Sequence, residues 1–88
     1  MNNLYEQLAD LVKQKSFELA KRIPEVYGKQ ASHVYPSYHH VVVAIARQLE
    51  QIIHVPAEIV KDIIAIEGLT FKLGEIASPI HVKDEEDK

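Results

Sequence analysis

The sequence predicts a mostly α fold, a three-helix domain: a helical hairpin over residues 37–68 packs with an N-terminal helix, and a short C-terminal extended segment or β-hairpin follows. Three observations carry this reading. Apolar residues recur at the helical period from Tyr38 to Ile53 and again from Ile59 to Ile66. Capping and breaking residues bracket both runs. After Gly68 the pattern changes to an alternation of period two.

The N-terminal helix is expected from Asn3 to about Arg22, with Asn2 or Asn3 as N-cap and Pro24 setting its end. Leu4, Tyr5, Leu8, Leu11, Val12, Leu19 and Ile23 form its apolar stripe. Lys15 falls within the stripe and Phe17 well outside it. In one reading Lys15 lays its aliphatic stem on apolar surface and Phe17 is a single exposed aromatic. In the other, Phe17 belongs to a second apolar surface that meets another subunit.

Residues 24–36 show no clear period. Tyr27-Gly28-Lys29 suggests a turn, and Val26, Val34 and Tyr35 are expected to fold back on the core in extended form. Ser37 then caps the first hairpin helix, in which Tyr38, Val41, Val42, Ile45, Ala46, Leu49, Ile52 and Ile53 share an arc of roughly 140°. His40, Arg47, Gln48, Glu50 and Gln51 lie opposite, with Val43 among them. Val55-Pro56 stops that helix, and Pro56 is expected as the first residue of the next, which buries Ile59, Val60, Ile63, Ile64 and Ile66 and ends at a left-handed Gly68. The β-branched runs Val41-Val42-Val43 and Ile63-Ile64 favour strand by propensity, but period and caps outweigh them.

Leu69-Thr70-Phe71-Lys72-Leu73 alternates, and Pro79-Ile80-His81-Val82 offers a partner strand, so extended structure is expected there. Leu69, Leu73 and Ile76 also match a short helix after Thr70. Gly74 in its interior counts against that by up to about 1 kcal/mol.

At 88 residues the chain forms one domain, residues 1–82, followed by an acidic tail, residues 83–88, expected to be disordered and solvated. Two lysines against four acids in that tail account for most of the net charge of −3. The 47% apolar and 26% charged composition is that of an ordinary globular protein. No run reaches the roughly 18 apolar residues of a membrane span, and the start lacks the basic and apolar regions of a signal peptide, so the cytoplasm is the expected location.

Chemistry is sparse. With no cysteine there is no disulfide framework, thiol nucleophile or cysteine zinc site. His33, His39, His40 and His54 attract notice, yet adjacent helical residues diverge by about 100° and His54 lies at the far end of the helix, so no metal site is assigned. The serines lack a nucleophile elbow, and the three glycines build neither a phosphate loop nor a dinucleotide fingerprint. No cofactor and no catalytic residue is assigned, and the chain is read as not an enzyme.

The function expected is a protein–protein interaction or regulatory, accessory module acting as a homodimer, with Phe17, Val43, Tyr27 and Tyr35 as candidate interface residues. A short chain has a marginal core, and a two-fold contact is the commonest way to bury a second apolar surface. The alternative is a winged helix-turn-helix DNA-binding regulator, an analogy of element order, with Lys13, Lys21, Arg22, Lys29 and Lys61 as candidate phosphate contacts. The exposed residues of its recognition helix, Glu58, Lys61, Asp62 and Ala65, are poor in the cations and amides that read DNA.

Overall fold

A computed structural model describes residues 3–77 and is helical throughout, with no strand among the described residues. Helix α1 spans Leu4–Tyr27 and is followed by a 3-10 turn, Gly28–Gln30, and a one-turn helix α2, Ala31–Val34. Helices α3, Tyr38–Ile53, α4, Ala57–Ile66, and α5, Thr70–Ala77, complete the fold. The expected strand at Pro79–Val82 and the acidic tail at 83–88 lie outside the described residues.

Asn3 caps α1, its side chain accepting from the Glu6 N–H at 2.7 Å. The helix does not end before Pro24 as expected. It runs three residues past it and stops at Gly28, φ 59°, whose N–H bonds the Pro24 carbonyl. Proline costs about 3 kcal/mol inside a helix and biases its predecessor away from α. That predecessor is Ile23, fully packed in the core, and burying an isoleucine is worth a similar 1.5–3 kcal/mol or so. Tertiary packing therefore holds the helix through the proline.

The buried stripe of α1 is Ala9, Val12, Ser16, Leu19, Ala20 and Ile23. Residues 9, 12, 16, 19 and 23 follow a three-then-four spacing, the seam by which one helix lies close along others. This stripe is rotated from the expected one: Leu4 is 82% exposed, and Tyr5 and Leu11 also face solvent. Phe17 is not outside the packed face either, since it lies half-buried against the core. Lys15 is half-buried, with Nζ 3.6 Å from Glu18.

Ser37 caps α3 by accepting the His40 N–H. The helix ends when His54 turns left-handed, φ 60°, and donates its N–H to the Glu50 carbonyl at 3.0 Å. Pro56 is the N-cap of α4 and not its first helical residue: at ψ 141° it is extended, and its carbonyl accepts from Ile59 at 3.0 Å and Val60 at 3.1 Å. At the other end Gly68, φ 68°, bonds back to Ala65 and Leu69 to Ile64, a Schellman closure whose two flanking apolar residues, Ile64 and Leu69, are both buried.

The stretch 69–73, expected as a strand, and the connection expected after it instead supply helix α5. Leu73, Gly74 and Ala77 are its buried side, and Leu73 donates to the Leu69 carbonyl at 2.9 Å. The helix thus uses the weaker of the two sequence patterns. It packs on both α1 and α3, while α4 packs on α3 and α1. Their common core centres on Val12, Ile23, Val41, Ile45, Leu49, Val60, Ile64 and Leu73.

Candidate functional site

Two recesses flank α1. One is a cleft of about 110 Å³ lined by Leu19, Arg22, Ile23, Val26, Tyr27, Tyr35 and Gln48. The other is a shallow groove between α1 and α5 lined by Phe17, Lys21, Lys72, Glu75 and Ile76.

The first is built by the extension of α1 past Pro24, which carries Val26 and Tyr27 onto the rim above Leu19 and Ile23. The 3-10 turn and α2 then bring Tyr35 back beside Tyr27, ring centroids 5.8 Å apart in an edge-to-face arrangement. Such a pair is worth about 0.5–1.5 kcal/mol beyond its area. Gln48 closes the cleft from α3. Burial pushes the Tyr35 hydroxyl's pKa above the usual 10, and its hydrogen bond with Tyr27 and the Tyr27 charge push it the same way. Tyr35 is therefore neutral at ordinary pH. Among the described residues Arg22 is the one charged residue lining the cleft, and it has no ion-pair partner there.

Of the four interface candidates, Tyr27 and Tyr35 come together here. Phe17 lies in the other groove, and Val43 is half-buried on α3 in neither. Of the cation candidates, Arg22 lines the first recess and Lys21 the second, Lys13 and Lys29 are exposed, and Lys61 is half-buried on α4. Sequence reasoning missed Val26 and Gln48 as cleft residues. It expected Val26 on the core, whereas Val26 is 68% exposed.

It also placed Ile59 and Ile66 inside, and both are exposed, at 44% and 70%. At 100° per residue Ile59, Asp62 and Ile66 share an arc of about 60° beside the buried residues Val60, Ile63 and Ile64. Ile52 is exposed as well. A periodic run shows that a helix has an apolar face. It does not show how wide a sector its neighbours cover.

Ser37 Oγ lies 2.6 Å from His40 Nδ1. The pair is local, three residues apart, and the same oxygen accepts the His40 N–H at 3.4 Å. The contact belongs to the N-cap of α3. His39 and His40 stand 6.0 Å apart by ring centroid, and no group of three or more His, Asp or Glu among the described residues is placed to hold a metal. No helix among them is long and apolar enough to cross a membrane. No protein-family model, curated protein or solved structure matches the chain.

Proposed function

We propose that this chain is a small regulatory or accessory protein–protein interaction module that acts as a homo-oligomer and docks through the Tyr27–Tyr35 cleft. The carrying observation is the lining: two tyrosines and an arginine around an apolar floor of Leu19 and Ile23. Tyr and Arg are enriched among residues that dominate interface energies, and they act from water-excluding pockets. At about 110 Å³ this cleft is smaller than the roughly 300–1,000 Å³ of small-molecule sites, which supports a side chain as its occupant. One anchoring side chain fits that volume.

Sedimentation from micromolar to near-millimolar protein tests the reading. A dimer is expected, weakened about tenfold or more by Arg22→Ala and by Tyr27→Ala with helix content unchanged. A 10.0 kDa monomer throughout, with a melt independent of concentration, removes it.

One feature favours DNA binding as a second reading: the α3–α4 corner is only His54 to Pro56, and left-handed His54 takes the conformation a turn glycine usually supplies. Against it, the segment after the recognition helix, where this arrangement needs a β wing, forms helix α5 from Thr70 to Ala77. A sequence-selective mobility shift that survives about 150 mM salt and is lost on Lys61→Ala would promote this reading.

A further inference from the structure

We propose that the cleft's occupant is helix α4 of a second copy, seating Ile66 over Leu19 and Ile23 beside the Tyr27–Tyr35 pair and setting Asp62 against Arg22. This rests on the homo-oligomeric reading and names its contact.

Helix α4 presents, on one flank, two isoleucines a heptad apart with an acid between them: Ile59, Asp62 and Ile66. Ile66 is 70% exposed, the chemistry of an anchor without a pocket. The cleft is a pocket without an anchor, and it takes one aliphatic side chain. Charge matches as well. Glu58 and Asp62 give the flank two exposed carboxylates, and neither has an ion-pair partner among the described residues. Arg22 is the cation of the cleft, without an ion-pair partner among the described residues, and a guanidinium binds a carboxylate through two parallel N–H donors. Glu67, the next acid along, is instead engaged by the Tyr5 hydroxyl at 3.3 Å, which ties the end of α4 to α1 and holds the flank in place.

Cleft and flank belong to different parts of the same chain, and the proposed dimer relates the copies by a two-fold axis, so that each cleft takes the other's α4 and neither contact is left open. Closure in pairs then limits assembly to a dimer.

Charge reversal in both partners tests the contact. Arg22→Asp places two acids together at each contact, and Asp62→Arg two cations; each variant alone is expected to dimerise at least tenfold more weakly than the parent. Mixing the two restores opposite charges at both contacts, so the mixture is expected to dimerise again near the parental constant. Ile66→Ser, at a surface position that leaves the fold intact, is expected to weaken the dimer without a change in helix content. If the parent is a dimer but none of the variants alters it, or the mixture stays monomeric, the inference falls while the homo-oligomeric reading stands. A parent monomeric at all concentrations overturns both.

Discussion

Gly74 of α5 lies flat against the aromatic ring of Tyr38 at the start of α3: a methyl group at Gly74 would fall inside that ring. Phe71, three residues earlier on α5, packs edge-to-face on the same ring, centroids 4.6 Å apart. Gly74→Ala gains up to about 1 kcal/mol of helix propensity and incurs about 1–3 kcal/mol of overpacking. A net loss is expected in urea melts. In a Tyr38→Ala background the same change is expected to be neutral or stabilising. Equal losses in both backgrounds would show that the ring is not what requires the glycine.

Ser16 is fully buried in α1, and among the described residues its hydroxyl has no hydrogen-bond partner. Leaving a polar group so costs about 1–3 kcal/mol. Ser16→Ala removes that cost and improves helix propensity, so a gain of about 1–2 kcal/mol is expected. A destabilised variant would mean that the hydroxyl is bonded in solution.

His54 is the one described residue other than glycine with positive φ. A β-carbon costs about 1–2 kcal/mol in the left-handed region. His54→Gly is therefore expected to raise stability by roughly 0.5–1 kcal/mol after the entropy of the unfolded glycine is set against it, and His54→Val to lower it. Thermal melts of the three proteins give the order directly.

The Tyr35 hydroxyl is neutral when protonated and its pKa is raised in the folded chain. The folded state thus holds this proton more tightly than the unfolded state. The resulting stability is fully present below the unfolded value of about 10 and is lost as pH rises through the raised folded value. Tyr5 is raised as well, through burial and Glu67, so alkaline absorbance titration is expected to lose one late-ionising tyrosine in Tyr35→Phe and to show earlier ionisation of Tyr35 in Tyr27→Phe. An unchanged profile in both variants would remove the hydrogen bond as a cause.

Ile45 and Ile63 are buried where α3 and α4 meet, and Arg47 is exposed on α3. Ile45→Asp and Ile63→Asp each bury an unpaired charge, costing several kcal/mol against a total of roughly 5–15 kcal/mol, and are expected to unfold the domain. Arg47→Ala is not. Circular dichroism would expose an inverted face if Arg47→Ala proved as damaging.

Local chemistry was legible in the sequence alone. Asn3 and Ser37 cap helices because a short side-chain oxygen reaches the first free N–H groups, and Gly68 ends α4 because it alone turns left-handed without cost. The period of Tyr38–Ile53 made α3 a helix despite its valines. What tertiary structure decided is everything that depends on a neighbour. Burial of Ile23 carried α1 through Pro24, which created the Val26–Tyr27 rim and hence the cleft. Tyr38 made Gly74 an asset in α5, where propensity alone had argued for a strand. The small residues Ala9, Ser16 and Ala20 sit at the centre of the α1 seam, while Leu4, Ile59 and Ile66 lie outside. Hydrophobicity ranks what a residue would gain by burial, but which sector of a helix is covered depends on how closely other helices approach, and small side chains set that distance.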